Sequence, residues 1–287
     1  MLSGAKALAL PLKTGQHLTV AESREHKLHW RAIEPEGLWF QCIFNLPELD
    51  VDFAPEREFC EKLKTILLAA RALNSDFLKN ENSGFEVDTI LEFDPDYGFG
   101  SSSTLISNIA RWAGIDPFKL QKLTFEGSGY DIACATAKSP IIYRLVDHRP
   151  VISEIRFSPP FKDNIYFVYS GHKQRTSDSL SEFAKSAFDK TDVDAISTIT
   201  QKITEAQKLD TFEHLLNEHE DRMSKILKLP KVKDLYFPDH HGTVKSLGAW
   251  GGDFMLMTFG DDPGEVKKYL NHKGFDVFYR YEEIVHK

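Results

Sequence analysis

The order of apolar and polar positions in the first hundred residues predicts several strands, a helix and a further strand. Stretches rich in β-branched and aromatic residues between Gln16 and Phe44, with a turn at 34–37, indicate an antiparallel β region: HLTVAE, KLHWRAI and LWFQCIF. From Pro55 to Leu73 the spacing is helical, with apolar residues at Phe59, Leu63, Ile66, Leu67 and Ala70. The stretch GFEVDTILEF, residues 84–93, predicts the next strand.

A segment rich in glycine and serine separates that strand from a second helix. The string GFGSSS fills positions 98–103, and apolar residues at helical spacing follow it: Leu105, Ile106, Ile109, Ala110 and Ala113. Gly114 is typical of a helix C-terminus, and Asp116-Pro117 is typical of the start of another short helix. The chain therefore runs from strand to glycine-rich loop to helix.

The second half of the chain predicts a mixture of strands and helices. GSGYDIACAT indicates a second glycine turn, and PIIYRLVD indicates the strand that follows it. Further strands are predicted at 164–171, 254–259 and 275–281, and helices at 178–189, 193–208, 211–228 and 263–271. The prolines between Val146 and Pro160 indicate a boundary there, so the pattern predicts an α+β fold with domains 1–150 and 151–287.

Composition and charge narrow the classes of function. The 287 residues are 41 % hydrophobic and 27 % charged, which is ordinary for a globular protein. The net charge of −8 disfavours a nucleic-acid or anionic-membrane partner. Three cysteines without a CxxC pair (Cys42, Cys60 and Cys134) predict neither a disulfide framework nor a zinc knuckle. We therefore expect a soluble, cytoplasmic protein that binds neither membrane nor nucleic acid.

The glycine and serine loop before the second helix suits a phosphate group. A helix N-terminus has unpaired N–H groups and a positive partial charge, and glycines let the backbone approach a ligand closely. The candidate residues are Gly98, Gly100, Ser101, Ser102, Ser103 and Thr104. Neither standard nucleotide signature fits, because no lysine follows the second glycine and Ser103 stands where a third glycine is needed. The alternative to phosphate binding is that the serines only cap the helix and the glycines only turn the chain.

Two more glycine-rich segments follow in the sequence. In EGSGYDIACAT, Asp131 comes directly after a glycine turn, where a carboxylate can accept a proton from a hydroxyl or hold a metal near a phosphate. An aspartate that only caps the turn is the alternative. The third segment, KSLGAWGGDF at 245–254, precedes a predicted strand and has a simple tight turn as its alternative.

In this order and spacing the three segments resemble those of the GHMP kinases, the family of galactokinase, homoserine kinase, mevalonate kinase and phosphomevalonate kinase. GFGSSS resembles the family's Gly-x-Gly-Ser-Ser-Ser phosphate loop, GSGYD the segment with the catalytic aspartate, and KSLGAWGGDF the C-terminal glycine motif. The string GYDIA at 129–133 resembles most closely the branch named for it. The similarity spans nearly the whole chain.

The resemblance implies a two-domain GHMP kinase fold, with an N-terminal domain related to one found in ribosomal proteins and a C-terminal ferredoxin-like domain. It implies that residues 98–104 bind the phosphates of ATP, that Ser103 helps to hold Mg²⁺, and that Asp131 deprotonates or orients the acceptor hydroxyl. Four residues would border the acceptor: Gly129, Tyr130, Gly251 and Gly252. Trp250, where the family usually has glycine, would narrow that pocket.

The chain departs from the family pattern in two places. MLSGAKALALP resembles only the second half of the first motif, and the preceding strand with its lysine is missing. Either the sequence begins at an internal methionine or the protein lacks that strand; we expect the former, with a Gly-Lys-Leu-Leu strand upstream. Leu120 occupies the place where some branches have a Mg²⁺-binding glutamate. Lys173, Thr176 and Lys245 are further candidates for phosphate contacts.

The leading hypothesis is an ATP- and Mg²⁺-dependent kinase, monomeric or homodimeric, that phosphorylates a hydroxyl or phosphate group of a small molecule. The acceptor that the resemblance favours is a mevalonate-pathway intermediate, because GSGYD resembles the phosphomevalonate kinase version of the motif. The missing half-motif and Trp250 motivate the alternative, a catalytically silent ATP-binding relative with a regulatory or structural role. An RNA-binding module is disfavoured by the acidic charge.

Overall fold

The structure of the protein, a computed structural model, describes residues 1–79, 83–171, 188–248, 252–260 and 262–286. Its strands are β1 (Ala7–Ala9), β2 (Gln16–Ser23), β3 (Lys27–Glu34), β4 (Gly37–Asn45), β5 (Asp50–Phe53), β6 (Gly84–Leu91), β7 (Ile141–Val146), β8 (Arg149–Glu154), β9 (Ile165–Tyr169), β10 (Val244–Ser246), β11 (Phe254–Thr258) and β12 (Phe278–Arg280). Its helices are α1 (Arg57–Leu73), α2 (Ser101–Ala113), α3 (Pro117–Thr124), α4 (Tyr130–Thr136), α5 (Lys190–Glu205), α6 (Leu209–Leu227), α7 (Val232–Tyr236), α8 (Pro263–His272) and α9 (Tyr281–Ile284).

The contacts between residues group these elements into two units. The unit that contains both chain ends comprises Met1–Lys13, Asp96–Gly98 and Ala137–Lys287, and we call it the terminal unit. The other comprises Thr14–Pro95 and Phe99–Thr136, and we call it the inserted unit. Mixed sheets and helices confirm the predicted α+β class. The division into domains 1–150 and 151–287 stays a prediction.

One five-stranded sheet backed by helices forms the inserted unit. Its strand order is β2-β6-β3-β4-β5, and only the β3–β6 pair is parallel. Every second residue of the central strands is buried, at Leu28, Trp30, Ala32, Phe40, Cys42 and Phe44. Because side chains alternate between the faces of a strand, these residues share one face, which packs with the buried stripe of α1: Leu63, Ile66, Leu67 and Ala70. The strands and the helix predicted for this part of the sequence are confirmed.

A disulfide joins that sheet face to α1. Cys42 on β4 and Cys60 on α1 are bonded, with their Cα atoms 5.8 Å apart, and Cys134 is free. The prediction that the cysteines form no disulfide is therefore wrong for this pair. Sequence spacing gave no sign of it, because the two residues meet only when the inward face of β4 packs against the helix.

Two antiparallel sheets and the remaining helices form the terminal unit. The strand orders are β1-β7-β8 and β10-β11-β9-β12. β9 and β11 are central and almost entirely buried, which explains their continuous apolar sequences, IYFVY and FMLMT. They confirm two predicted strands, while the closing strand is shorter than predicted, at Phe278–Arg280. The helix predicted at 178–189 lies almost wholly outside the described residues. Among the helices of the described ranges, none is long and apolar enough to cross a membrane.

Two adjacent leucines on α1 test the assignment of its buried stripe. Leu67 is fully buried, whereas Leu68 is 42 % exposed. We expect Leu67→Ala to lower the free energy of unfolding by about 2–5 kcal/mol, because it leaves a cavity in the core. The matched change Leu68→Ala should cost less than about 1 kcal/mol. Urea denaturation of both variants measures the difference, and equal losses would contradict the packing of α1.

Candidate active site

The N-terminus of α2 has a conformation that favours anion binding. Gly100 precedes the helix in the left-handed conformation (φ 85°, ψ 38°), and no side chain caps the N–H groups of the first turn. An L-residue adopts this conformation only at a cost, which explains the glycine. The predicted order of strand, loop and helix is confirmed, since β6 ends at Leu91 and α2 begins at Ser101. The uncapped first turn leaves backbone N–H donors for a ligand.

The hydroxyl residues of the first turn differ in their surroundings. Ser102 is exposed, while Ser101 and Ser103 are half-buried. The Thr104 hydroxyl lies 2.9 Å from the Ser101 carbonyl oxygen and 3.0 Å from Gln16 Oε1. A hydroxyl has one proton to donate, so Thr104 uses its proton to brace the turn. The three serines thus remain the better side-chain candidates for phosphate contacts.

Gln16, at the start of β2, holds α2 in place and was missed by sequence reasoning. Besides the contact with Thr104, its backbone oxygen accepts a 2.7 Å hydrogen bond from Asn108 Nδ2, one turn further along the helix. A glutamine at the start of a strand has no distinctive pattern, so the sequence contained no signal of this role. The helix N-terminus is therefore fixed by two hydrogen bonds to β2.

Asp131 lies beside Gly100 within the inserted unit. It is the second residue of α4, a short helix that the sequence pattern did not predict, while the strand predicted at PIIYRLVD is confirmed as β7. The small residues that follow it, Ala133 to Ala135, allow a short helix that packs against α2. The Cβ atoms of Asp131 and Ser103 both lie 3.8 Å from the point where a Gly100 Cβ would be. The space beside the Gly100 α-carbon is thus bordered by an aspartate and a serine.

Burial makes the Asp131 carboxylate unusually basic. Removal from water raises the pKa of Asp131 to about 6, and hydrogen bonding with Tyr130 acts in the opposite direction. Burial, with a smaller contribution from the nearby Asp131 charge, raises the pKa of Cys134 to about 12. At neutral pH Asp131 is mostly ionised, yet it holds a proton better than an ordinary aspartate does. Such a group suits proton transfer near neutral pH.

The loop before α4 is shaped by two side chains of α3. Gly129 has φ +84°, and a Cβ there would lie 2.9 Å from Gln121 Oε1 and 3.2 Å from Phe118 Cδ1. Gln121 is buried, and its Nε2 would be 3.5 Å from a Cβ at Gly127. The loop that presents Asp131 therefore lies directly on α3, and Gly129 permits that approach. Gln121 is a second site-shaping residue that the sequence did not indicate.

The oxygen donors beside Gly100 fit a magnesium ion that arrives with phosphate. Ser103 offers a hydroxyl and Asp131 a carboxylate, which are the donor types that Mg²⁺ accepts. Across the described ranges no group of three or more His, Cys, Asp or Glu side chains could hold a metal by itself. Because Mg²⁺ usually takes one or two carboxylates and completes its shell with phosphate oxygens and water, the donor set fits a nucleotide-bound ion.

Only part of the third glycine motif belongs to the described residues. Gly252 N–H donates to Ser246 Oγ over 3.4 Å. Two predicted site residues, Trp250 and Gly251, lie outside the described residues, as do Lys173 and Thr176. Lys245 is described, and its ammonium group bonds to Glu220 at 2.9 Å. The structure therefore gives Lys245 a partner in the protein, which weakens the case for a phosphate contact.

Gly98 and Asp253, both in the terminal unit, are in close contact. Gly98 has φ +67°, and a Cβ there would lie 1.9 Å from Asp253 Oδ2 and 2.7 Å from Asp253 Cβ. The neighbouring residue Asp96 accepts a 3.2 Å hydrogen bond from the Tyr169 hydroxyl, and the rings of Tyr97 and Tyr169 lie 5.1 Å apart. The first and third glycine motifs therefore touch at Gly98 and Asp253, a contact the sequence did not reveal.

Several solved structures that are similar to this chain are kinases of small molecules. Mevalonate kinase of Methanococcus jannaschii matches 100 % of this chain and 93 % of its own, at 16 % identity and TM-score 0.67. Phosphomevalonate kinase of Streptococcus pneumoniae, solved with phosphomevalonate and AMPPNP, matches 96 % and 93 %, at 15 % identity and TM-score 0.67. Galactokinase of Lactococcus lactis, solved with galactose, matches 96 % and 87 %, at 11 % identity and TM-score 0.59. The chain therefore has the GHMP kinase fold, as its motifs predicted.

The likeness is one of structure. No protein-family model matches the chain, and no curated protein sequence matches it. At 11–16 % identity, the matched structures show the fold, while the chemistry has to be argued from the residues of the site.

The two glycines of the first motif should respond differently to alanine. In Gly100→Ala the nearest atoms to the new Cβ are 3.8 Å away, so there is no clash. The free energy of unfolding should fall only by the roughly 1–2 kcal/mol that an L-residue costs in the left-handed conformation. Gly98→Ala should cost more, because rotation of Asp253 cannot move the Asp253 Cβ out of the way. In an Asp253→Gly background, the loss of unfolding free energy caused by Gly98→Ala should fall to that caused by Gly100→Ala. Denaturation of the single and double variants measures this coupling, and additive costs would disprove the contact.

Proposed function

We propose that the protein is an ATP- and Mg²⁺-dependent kinase that transfers the γ-phosphoryl group to a hydroxyl or phosphate group of a small molecule. One observation carries the proposal: the N-terminus of α2 has no side-chain cap, and Asp131 lies beside Gly100, the glycine that precedes the helix. An anion-binding turn next to a basic carboxylate is what phosphoryl transfer to a hydroxyl needs. The GHMP kinase fold supports the same conclusion.

The nucleotide would bind through the first motif. Gly100 lets the phosphates approach the backbone, and Ser101, Ser102 and Ser103 add hydroxyl donors. Thr104 braces the turn, and Gly98 would shape the loop through its contact with Asp253. The solved phosphomevalonate kinase holds the ATP analogue AMPPNP, which supports ATP as the donor. Ser103 would hold the magnesium ion, with Asp131 also beside Gly100. Bound Mg²⁺ would neutralise charge on the phosphates.

Asp131 would act on the acceptor. As the acceptor oxygen bonds to the γ-phosphorus, the bond from that phosphorus to the β–γ bridging oxygen breaks, and the hydroxyl proton passes to an Asp131 oxygen. The raised pKa of Asp131, about 6, favours this role as proton acceptor over that of a purely electrostatic anchor. Gly129 and Tyr130 would border the acceptor, together with Trp250, Gly251 and Gly252 of the third motif. A mevalonate-pathway intermediate is the first acceptor to test, in a cytoplasmic monomer or homodimer.

The first experiment measures ADP release by the purified protein with mevalonate, phosphomevalonate, homoserine and galactose in turn. We expect acceptor-dependent turnover that requires Mg²⁺ and falls by about 10²–10⁴-fold in Asp131→Asn. Glu126→Gln, an exposed carboxylate just before the same loop, is the matched control. Tight ATP binding without turnover of any acceptor would instead favour the catalytically silent relative.

The pH dependence separates the two roles of Asp131. A proton acceptor must be ionised, so kcat should fall about tenfold per pH unit below the Asp131 pKa of about 6. An electrostatic anchor that keeps a metal or charge in place would show a loss of ATP affinity over the same range instead. Measuring kcat and the KM for ATP from pH 5 to 8 distinguishes these outcomes.

Stability should change with pH in the opposite sense to activity. The folded-state pKa of Asp131 is raised above its ordinary value of 3.8, so the folded protein binds the proton more tightly than the unfolded chain. This contribution favours folding at low pH and is lost as the pH rises through about 6. Asp131→Asn should therefore raise Tm at pH 8, and the gain should shrink towards pH 4. A gain independent of pH would rule out the raised pKa as its cause.

A further inference from the structure

Glu92, the residue that follows β6, binds the start of β2 through both its side chain and its backbone. Its Oε2 accepts a 2.7 Å hydrogen bond from the Gly15 N–H, and its Oε1 lies 3.0 Å from His17 Nε2. Its own N–H donates to the Gly15 carbonyl oxygen over 3.0 Å. Glu92 therefore contacts the residues on both sides of Gln16, the first residue of β2.

Both carboxylate oxygens of Glu92 are thus used by this segment, and the carboxylate is held as an anion. Hydrogen bonds with His17 and the Gly15 N–H lower the pKa of Glu92 below its ordinary value, although burial acts in the opposite direction. The bond from the Gly15 N–H joins a charge to the main chain, and such charge-assisted bonds are roughly twice as strong as neutral ones. This bond fixes the backbone just before Gln16.

Gln16 links this segment to α2. Its side-chain Oε1 lies 3.0 Å from the Thr104 hydroxyl oxygen, and its backbone oxygen accepts the 2.7 Å bond from Asn108 Nδ2. Thr104 and Asn108 are one turn apart, so both contacts lie on one side of the helix. In the first turn, the Thr104 N–H donates to the Gly100 carbonyl oxygen over 2.9 Å. A shift of Gln16 would therefore act on the turn that begins at Gly100.

The alternative is that Glu92 only stabilises the end of the β2–β6 pair. The two strands are paired over eight residues each, Gln16–Ser23 with Gly84–Leu91. The His17 ring is 66 % exposed, and a surface ion pair such as the one between His17 and Glu92 adds at most about 1 kcal/mol to stability. Fixing Gln16 therefore explains the contacts of Glu92 better than stability does.

We propose that Glu92 is a positioning residue for the nucleotide side of the site: it fixes Gln16, which in turn fixes the first turn of α2, where the phosphates of ATP would bind. The role of that turn in binding ATP rests on the proposed kinase function. Asp131 belongs to α4, and the loop before it lies on α3, so these contacts do not include the proton acceptor. Loss of the Glu92 side chain should therefore weaken nucleotide binding and spare the acceptor.

Hydrogen exchange in the full chain tests the positioning role without any substrate. The Thr104 amide reports on the first turn of α2, and the Ile109 amide in the middle of the same helix is the internal reference. Glu92→Ala should speed exchange at Thr104 relative to Ile109 by about five- to tenfold, the equivalent of one hydrogen bond. Glu86→Ala, the same change at an exposed position of β6, is the matched control and should leave the ratio unchanged. An unchanged ratio in Glu92→Ala would overturn the proposal.

Gln16→Leu keeps the test decisive if Glu92→Ala does not fold. It removes the side-chain contact with Thr104 and should raise the same exchange ratio, and no rise would overturn the proposal as well. Where both single variants fold, the double variant should raise the ratio by less than the product of the two single effects, because both changes act through Gln16. A full product would show that Glu92 acts elsewhere.

Calorimetry with Mg²⁺ and AMPPNP tests the link to the nucleotide. Glu92→Ala should raise the Kd about five- to tenfold, and Glu86→Ala should change it by less than about twofold. In turnover with whichever of mevalonate, phosphomevalonate, homoserine or galactose is phosphorylated, Glu92→Ala should raise the KM for ATP by the same factor and leave the KM for the acceptor within about twofold. Equal rises in both KM values would contradict a nucleotide-side role. If the wild-type protein neither binds AMPPNP nor phosphorylates any of the four, the proposed function fails, while the exchange ratio still decides the positioning role.

Discussion

The left-handed turn at Gly100 is the constraint on which the proposed site depends. Gly100 starts α2 without a side-chain cap. The N–H groups of the first turn are therefore left for a ligand to bind. The Cβ atoms of Ser103 and Asp131 both lie 3.8 Å from the point where a Gly100 Cβ would be. Gln16 then fixes the helix through Thr104 and Asn108. The proposed binding of phosphate and metal beside Asp131 depends on that one backbone conformation.

Close approach also explains two other glycines of the motifs, Gly98 and Gly129. Gly98 lies against Asp253, and Gly129 lies against Gln121 and Phe118, at distances that leave no space for a Cβ. These loops are therefore fitted to particular neighbours rather than merely flexible. The loop around Gly98 lies against a side chain that is distant in sequence, whereas the loop around Gly129 lies against side chains of the preceding helix α3. Such a surface can hold a ligand without reorganising when the ligand arrives.

Two carboxylates, Asp131 and Glu220, show how their surroundings shift a pKa in opposite directions. Burial dominates at Asp131 and raises its pKa to about 6, which suits a group that must gain and lose a proton. At Glu220 burial acts in the same direction, but the ammonium of Lys245 and the surrounding hydrogen bonds reverse it and lower the pKa. Glu220, which pairs with Lys245, is an anion at neutral pH and accepts the Ser246 backbone N–H. Asp131, which has the higher pKa, is the one that lies beside the N-terminus of α2.

The sequence alone determined the features that rest on local pattern. Periodicity predicted the strands of the inserted unit and helices α1 and α2, Gly114 and Asp116 marked helix ends, and the order of the glycine motifs predicted the kinase fold. Only the tertiary structure decided the Cys42–Cys60 bond, the helical setting of Asp131, and the contacts of Gln16 with Thr104 and of Glu220 with Lys245, 88 and 25 residues apart. A contact between distant residues leaves no period in the sequence, because it exists only once strands and helices have packed.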